Sequence, residues 1–423
     1  MTTRYETPEM AALWNEEAKF RSWLLVEKTV ASVQAELGII PKPAARAIQR
    51  ASFRIKEIDE FEKVTNHDVI AFLEAVREKL GRESRWLHFG MTSYDLVDTA
   101  LTLIILEATD IVLWEISRLA HVLKKLAARY RRTPQMGRTH GMFAQPVTFG
   151  FKIASWYQEI RRAKKRLEIS KDEIAYGKIS GAVGSYTILP PMVEKKVMQR
   201  LGLKAEPVST QIIPRDRLAY FFSSLVLYTC GIDRIMTEIR NLSRSEIAEV
   251  SEPFTRGQKG SSAMPHKQNP ITCERVCGLV KVMRGYLVPV YENINLWHER
   301  DLTNSSVERI VIADAFYLTH YITTKTRWVL ENLNVYPMKM MENIKESRSV
   351  YASQQLMNRL IEKGMSRKKA YDLVQALSFQ ALKDRKDLKG IAARHTKVKQ
   401  YLNSRELDRV FDLKWFLRNI TGK

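Results

Sequence analysis

The segment from Gly257 to Pro270, GQKGSSAMPHKQNP, holds the densest group of chemically useful side chains in the sequence. Its glycines and prolines disfavour a regular helix or strand. Its serines, histidine, lysines and amides can donate protons or hydrogen bonds to an anion. A polar loop that is flexible at one end and stiff at the other is typical of a lid over an acidic ligand. An ordinary surface loop is the alternative interpretation.

Ser261 lies within this loop and is either a loop serine or a reactive group. The GxSxG motif of a nucleophile elbow is absent, which argues against a hydrolase of that type. The reactivity of Ser261 therefore has to come from other groups around it.

Several of the eight histidines lie in similar polar segments, namely His67, His88, His140, His266 and His298. A lone histidine is more often a structural hydrogen-bonding residue than a catalyst. His140 differs, because Gly137 and Gly141 lie on either side and allow close approach to its backbone. We expect it to precede a helix that begins at Pro146. No histidine pair has the spacing of a zinc site and no HExxH motif occurs, so no metal is expected.

Long helices must position these groups, because apolar residues recur at steps of three and four over long stretches. These stretches run from Val112 to Tyr130, from Phe149 to Leu167, from Leu218 to Leu242 and from Val276 to Ile294. Pro289 is expected to kink the last of them. A fifth, less regular helix is expected from about Ser306 to Leu333. Such patterns predict nearly parallel helices, packed in a bundle that several subunits share.

The predicted fold is all-α, with three helical domains. Residues 1–108 form an N-terminal helical domain, 109–345 a central domain of long helices, and 346–423 a C-terminal helical domain. In the first domain, we expect helices after the N-cap Thr7, around Phe20 to Val30, and from Asp68 to Lys79. Function is then expected in the polar segments between the helices.

Composition limits the class of protein and its partners. A chain of 423 residues with 45% hydrophobic content can bury a large core. Its 68 basic and 47 acidic residues give a net charge of +21, which favours a phosphorylated or polycarboxylate substrate, nucleic acid or a membrane surface. Three cysteines are too few for a disulfide framework. A cytoplasmic location is expected, because no signal peptide and no apolar stretch of about 20 residues is found.

The loop string resembles the shared pattern of the fumarase/aspartase superfamily, GSS-x-MP-x-K-x-NP. Further segments, in order, resemble the adenylosuccinate lyase family of that superfamily: RYETPEM, NHDVIAF, HFGMTSYDLVDTA, MGRTHG, GKISGAVG, STQIIPRDR and LWHERD. The resemblance covers nearly the whole chain. The opening Arg4-Tyr5, the histidine in MPHK and the WHERD segment favour this family over fumarase, aspartase or a cycloisomerase. Argininosuccinate lyase is the runner-up, since it shares the fold, the loop and the fumarate product.

The resemblance implies β-elimination of fumarate from adenylosuccinate, giving AMP, and from SAICAR, giving AICAR, in purine nucleotide biosynthesis. It implies no cofactor, and a homotetramer in which three subunits meet at each active site. It implies neither a nucleic-acid partner nor a membrane. A catalytically silent scaffold would lack a site serine, histidine or lysine, and all are present. A nucleic-acid-binding protein would be expected to carry a recognised binding module, which the sequence lacks.

Residue roles also follow from the resemblance. It makes Ser261 the general base, His140 the general acid and Glu274 the acid that orients the catalytic histidine. Lys267 and Asn269 are expected to hold the succinyl carboxylate, while His67 and His88 position the substrate and can share proton transfer. The other implied substrate-binding residues are Arg4, Tyr5, Asn66, Asp68, Thr92, Ser93, Gln211, Ser262, Gln268, Arg300, Ser305 and Arg309.

Overall fold

A computed structural model of the chain describes residues 3–420, and most of them are helical. The α-helices are α1 Pro8–Ala11, α2 Glu16–Glu36, α3 Lys42–Gln49, α4 Ile55–Thr65, α5 Asp68–Arg77, α6 Ser93–Arg129, α7 Phe149–Ile174, α8 Pro191–Leu201, α9 Asp216–Leu242, α10 Ile271–Gly285, α11 Leu287–Glu292, α12 Thr303–Glu331, α13 Pro337–Glu346, α14 Ser353–Glu362, α15 Arg367–Lys383, α16 Leu388–Arg394, α17 Thr396–Tyr401, α18 Ser404–Val410 and α19 Leu413–Leu417. Short 3-10 helices lie at Thr3–Tyr5, Gly81–Trp86 and Val350–Ala352. The all-α prediction is confirmed.

Short strands complete the secondary structure. They are β1 Pro134–Thr139, β2 Met142–Thr148, β3 Tyr176–Gly177, β4 Lys204–Ala205, β5 Val250–Ser251 and β6 Asn334–Val335. Strands β1 and β2 form an antiparallel hairpin, β3 pairs with β4 in parallel, and β5 pairs with β6 antiparallel. No helix in the described part of the chain is long and apolar enough to cross a membrane.

The apolar patterns form the buried faces of the long helices, except at the end of the fourth pattern, where Ile294 lies beyond α11 and is 50% exposed. Every patterned residue from Phe149 to Leu167 in α7, and from Leu218 to Leu242 in α9, is buried. In α6, the patterned positions from Val112 to Leu123 are also buried. The predicted fifth helix is α12. Burying such a face supplies most of the stability of a helix in a protein.

The chain divides into two compact units. The first comprises residues through Arg118, Arg162–Asp233 and Val276–Lys325. Its core packs α2, α3 and α5 around an aromatic group in which Phe20 and Phe72 stack, with ring centroids 5.7 Å apart. A buried ion network links α6 and α12 to the residue that precedes α9, because Arg215 bonds the carboxylates of Asp98 at 2.8 Å and Glu308 at 2.7 Å.

The second unit comprises Leu119–Arg161, Arg234–Arg275 and the residues from Thr326 onward. Its C-terminal helices, α14 to α18, bury their own apolar cluster. Gly364, with φ 102°, follows the end of α14, and Ser366 caps the start of α15 by accepting the Lys369 N–H. A glycine after one helix and a serine before the next are the residue types expected at a helix end and a helix start.

The polar segment around His140 folds differently from the prediction. Pro146 lies in strand β2 and the helix begins at Phe149, so the expected helix start at Pro146 is wrong. His140 and Gly141 form a two-residue turn with φ of 53° and 77°, and positive φ at both turn positions matches a tight hairpin. Pro146 is tolerated because both strands of a two-stranded sheet are edge strands.

The disruption expected from Pro289 falls within the turn that precedes it, as the loss of its amide hydrogen and the clash of its ring with residue 285 predict. The helix ends at Gly285 and restarts at Leu287, with Tyr286 between them. Pro289 lies in the first turn of α11, where the missing amide hydrogen of a proline is not needed. The predicted domain boundaries near residues 108 and 345 lie inside α6 and α13, and the three-domain division stays a prediction.

Candidate active site

A cavity of about 890 Å³ in the first unit gathers many of the predicted substrate-binding residues. It is lined by residues from the ends of α2, α4, α5, α6 and α12 and from the connecting segments. The predicted residues among them are Asn66, His67, Asp68, Thr92, Ser93, Gln211, Arg300, Ser305 and Arg309. Residues far apart in sequence therefore meet around one space.

Arg300 presents unused donors in this cavity. Its Nη1 donates to Gln211 Oε1 at 2.9 Å, and its guanidinium carbon lies 3.6 Å from the centroid of the Tyr94 ring. Its Nε and Nη2 are buried and have no hydrogen-bond partner among the described residues. Buried donors without partners are costly. An anionic ligand would satisfy them.

Asp68 joins two cations on the wall of the cavity. Its Oδ2 lies 2.7 Å from Arg309 Nη2 and 3.5 Å from Lys19 Nζ. Burial would raise the pKa of Asp68, but Lys19 and Arg309 more than offset this and hold the pKa below its usual range. Burial lowers the pKa of Lys19, and Asp68 offsets only part of that shift. Asp68 is therefore a mostly buried acid between two cations, and the Arg309 side chain remains 60% exposed to solvent.

His67 and the Thr92–Ser93 segment are held by local bonds. His67 is the N-cap of α5, and its Nδ1 accepts the Ile70 N–H at 3.4 Å. Thr92 donates its N–H to Asp95 Oδ2 at 2.9 Å. Asp95 is fully buried and forms an ion pair with the equally buried Lys178 at 2.5 Å. This pair ties the segment to the GKISGAVG motif.

Three predicted residues of the first unit, Arg4, Tyr5 and His88, are not among the described residues that line the cavity. Tyr5 packs edge-on against Tyr321, with ring centroids 5.3 Å apart, and Arg4 is exposed. His88 is bound through both its backbone and its ring to the buried Glu27.

In the second unit, a buried network anchors the hairpin that carries His140. The Glu249 carboxylate accepts from Gln135 Nε2 at 2.7 Å, from Arg138 Nη2 at 2.8 Å and from Asn343 Nδ2 at 2.7 Å. Gln135 and Arg138 both lie on β1. His140 itself is exposed at the turn, so its imidazole is available to a ligand or to another chain.

The segment from Gly257 to Pro270 has no regular secondary structure, as predicted. Ser261 Oγ accepts the backbone N–H groups of Ala263 and Met264 at 3.3 and 3.1 Å. Asn269 Nδ2 donates to the Gly260 carbonyl at 3.0 Å. A Cβ on Gly260 would lie 1.9 Å from the Lys267 carbonyl oxygen, so only glycine allows this approach. Ser262, Lys267 and Gln268 are exposed.

Glu274 is exposed on the first turn of α10. Within one chain, Glu274 and His140 make no hydrogen bond with each other in the described residues. The start of α10 is held by Glu252, whose carboxylate accepts the N–H groups of Thr272 and Cys273 at about 3.0 Å.

Sequence reasoning missed Lys19, Tyr94 and Glu27. Glu27 carried a signal, because it falls at helical spacing among apolar residues of α2, where a carboxylate needs a buried partner. Lys19 and Tyr94 carried no comparable signal, because their roles depend on neighbours distant in sequence. No group of three metal-ligating side chains is found among residues 3–420, and the expectation of no cofactor stays a prediction.

Comparison with known proteins defines the class. A family model described as lyase matches residues 1–285, and a model described as adenylosuccinate lyase C-terminus matches residues 349–422. Among solved structures, a fumarate lyase from Mesorhizobium sp. BNC1 covers 100% of this chain and 98% of its own, at TM-score 0.90 and 24% identity, which shows the fold. A β-carboxy-cis,cis-muconate cycloisomerase from Acinetobacter calcoaceticus covers 99% and 96%, at TM-score 0.88 and 26% identity. The class is that of the fumarase/aspartase superfamily of lyases.

Curated relatives narrow the class to one family. Adenylosuccinate lyase of Thermotoga maritima is 45% identical over 99% of this chain and 98% of its own length. Adenylosuccinate lyase of Bacillus subtilis is 42% identical over the same shares. The chain therefore belongs to the adenylosuccinate lyase family, and it is an enzyme with lyase activity.

Proposed function

We propose that this enzyme eliminates fumarate from adenylosuccinate, giving AMP, and from SAICAR, giving AICAR, in purine nucleotide biosynthesis. The observation that carries the proposal is the cavity in which Arg300, Arg309 and Lys19 face a common space with the hydroxyls of Thr92, Ser93 and Ser305. Each substrate carries a phosphate and two carboxylates. A site with several cations and hydroxyl donors suits such a polyanion.

Ser261 is proposed as the general base that removes the carbon-bound proton next to a carboxylate. A serine is a weak base in water, so its deprotonated form needs stabilisation. The two backbone N–H groups that bond Ser261 Oγ support this role, because they favour negative charge on that oxygen. Lys267 and Asn269, in the same loop, are proposed to hold the succinyl carboxylate where charge accumulates.

His140 is proposed as the general acid that protonates the leaving nitrogen. Its exposed position on an anchored hairpin supports this role, because the buried Glu249 network fixes the base of the hairpin. Glu274 is proposed to orient the imidazole from another chain. His67 and His88 are proposed to position the substrate and to share in proton transfer, and Gln211, Arg300, Ser305 and Arg309 to bind its anionic groups.

The enzyme is proposed to act as a homotetramer whose active sites are shared between subunits. Large apolar side chains on the long helices support this, since Tyr220 and Leu227 on α9 are 45% and 51% exposed, and Ile310 on α12 is 62% exposed. Arg4 and Tyr5, which do not line the cavity, are proposed to join the site in the assembled enzyme. A cytoplasmic location, without nucleic-acid or membrane partners, completes the proposal.

An ultraviolet assay with adenylosuccinate tests the reaction and the base together. We expect adenylosuccinate to be converted to AMP and fumarate by the wild type, and the rate to fall by at least about a thousandfold in Ser261→Ala. SAICAR and argininosuccinate are offered in parallel, and Ser245→Ala, at an exposed position outside the loop, is the control and should keep the wild-type rate. A folded wild type that leaves adenylosuccinate intact and cleaves argininosuccinate would overturn the substrate assignment. An active Ser261→Ala variant would overturn the assignment of the base alone.

A further inference from the structure

One buried carboxylate, that of Glu27 on α2, binds both the backbone and the ring of His88. Its Oε2 accepts the His88 backbone N–H at 3.1 Å, and its Oε1 lies 2.5 Å from His88 Nδ1. His88 has φ 62°, a left-handed conformation that a residue with a side chain adopts only when its surroundings hold it. The carboxylate supplies this hold at two points.

The location of Glu27 makes a purely space-filling role unfavourable. Glu27 is 2% exposed and lies among Trp23, Leu24 and Val30, which are also buried. Burying a carboxylate is costly unless its oxygens are bonded. An apolar side chain at this position would avoid the cost, so the acid indicates a need for the His88 contact itself.

The chemistry of the contact limits which ring nitrogen of a neutral His88 carries the hydrogen. An ionised carboxylate only accepts hydrogen bonds, so Nδ1 of His88 must carry the hydrogen. In the neutral ring, the lone pair is then on Nε2. We propose that Glu27 is a positioning residue, which fixes both the orientation of the His88 ring and the tautomer in which Nε2 is the acceptor.

The catalytic consequence of this inference rests on the proposed function. There, His88 acts next to the substrate, and the residues that follow it, Thr92 and Ser93, line the cavity. In the tautomer that Glu27 selects, Nε2 can accept a hydrogen bond or a proton. In the opposite tautomer, Nε2 can only donate a hydrogen bond, so His88 can no longer accept a proton or a hydrogen bond through Nε2.

The Glu27→Gln variant distinguishes an effect of the His88 tautomer from an effect of lost packing around residue 27. The glutamine has nearly the same shape, its amide oxygen can accept the His88 backbone N–H, and its NH₂ group can donate to Nδ1. The backbone and the ring of His88 therefore both stay bonded to residue 27. The hydrogen of the neutral ring, however, is then on Nε2 rather than on Nδ1. We expect kcat to fall at least about tenfold with KM and Tm changed little. A variant with wild-type kcat would overturn the proposal.

Gln34→Met is the matched control for loop anchoring. Gln34 lies on the same helix, is 1% exposed and donates from Nε2 to the carbonyl of Phe89, the residue after His88, at 2.8 Å. Losing the Gln34 side-chain amide frees the backbone next to His88 but leaves the hydrogen bond between Glu27 and the His88 ring in place. We expect a lower Tm and less than about a twofold change in kcat. A fall in kcat equal to that of Glu27→Gln would assign both effects to the backbone and overturn the proposal.

A double-mutant cycle tests whether Glu27 acts through His88. In a His88→Asn background, Glu27→Gln should reduce kcat by less than about twofold further, because the ring it positions is gone. If the reductions in kcat of the two single variants multiply in the double variant, Glu27 acts on a group other than His88, and the proposal is overturned.

Chemical modification tests the tautomer without any enzymatic activity. Diethyl pyrocarbonate attacks an imidazole nitrogen that has a lone pair, and peptide mass spectrometry reports each histidine separately. We expect His88 to react several-fold more slowly in Glu27→Gln, while His67 reacts at the same rate in both proteins. Equal rates at His88 would overturn the tautomer assignment. A wild type without activity on adenylosuccinate would refute the proposed function and leave this result interpretable.

Discussion

At the scale of single residues, buried carboxylates organise the segments that carry the proposed active-site groups. Glu27 binds His88, Asp95 binds the Thr92 backbone, and Glu249 binds the hairpin of His140. Each accepts several hydrogen bonds, which compensates the cost of its burial. These acids are therefore expected to be as sensitive to substitution as the groups that contact substrate.

Asp68 makes a prediction about pH at this scale. Because Lys19 and Arg309 hold its pKa below the usual range, the ionised form stabilises the folded state. A depressed pKa in the folded state contributes stability above the unfolded value, near 3.9, and this contribution is lost as the pH falls through the folded value. We expect Asp68→Asn to lower the unfolding free energy by about 1 kcal/mol at pH 7.

Calorimetry of the wild type and Asp68→Asn between pH 7 and pH 3 checks this expectation. The difference in Tm between the two proteins should shrink as the pH falls. Asp59→Asn, at an exposed position on α4, is the control and should follow the wild type throughout. A difference in Tm that is constant across the pH range would contradict the ion-pair explanation.

At the scale of elements, the chemistry lies where the regular structure ends. The loop from Gly257 to Pro270 leads directly into α10, and His140 occupies the turn between β1 and β2. Both are irregular segments held at their bases by rigid structure. Such an arrangement positions a side chain and still exposes it to a ligand.

Glu252→Ala is predicted to loosen the start of α10. The Glu252 carboxylate accepts the N–H groups of Thr272 and Cys273 and interacts favourably with the helix dipole. Losing a buried acceptor of this kind costs about 2 to 3 kcal/mol locally. We expect faster hydrogen exchange at these two amides and a lower rate of catalysis, because the Ser261 loop loses its fixed end.

Glu246→Ala controls for the loss of a carboxylate in the same unit. Glu246 is exposed and pairs with Arg244 at the surface, so exchange in α10 should stay at the wild-type rate. Unchanged protection of Thr272 and Cys273 in Glu252→Ala would disprove the capping role.

At the scale of the whole molecule, the proposed tetramer predicts complementation between inactive variants. If His140 and Ser261 reach one site from different chains, a mixture of His140→Ala and Ser261→Ala can form some sites with both groups intact. Random mixing of equal amounts would restore up to roughly a quarter of wild-type activity. The assay follows fumarate release after the two variants are dissociated and reassembled together.

The control for this experiment is the double variant His140→Ala/Ser261→Ala, mixed with itself. It should stay inactive after the same treatment. Reassembled hybrids that show no activity, in a preparation proven to contain mixed tetramers, would place both groups in one chain and contradict the shared site.

The sequence predicted the helical fold well because burial of one helix face has a simple period. The pattern from Leu218 to Leu242 defines the buried face of α9, and the one from Phe149 to Leu167 that of α7. The hairpin at His140 was missed, because a short two-stranded element has too few residues to show a period. Pro289 indicated a disruption of the fourth long helix, and the break at Tyr286 lies within the turn before this proline.

The loop motif, the helical patterns and the family resemblance were therefore accessible from the order of residues alone. They depend on local backbone preferences and on residue types at fixed spacing. The cavity, the Asp68 cluster and the contact between Glu27 and His88 were decided only by the tertiary structure. Glu27 and His88 are 61 positions apart, and only the packing of α2 against the following segments determines which buried acid meets which histidine.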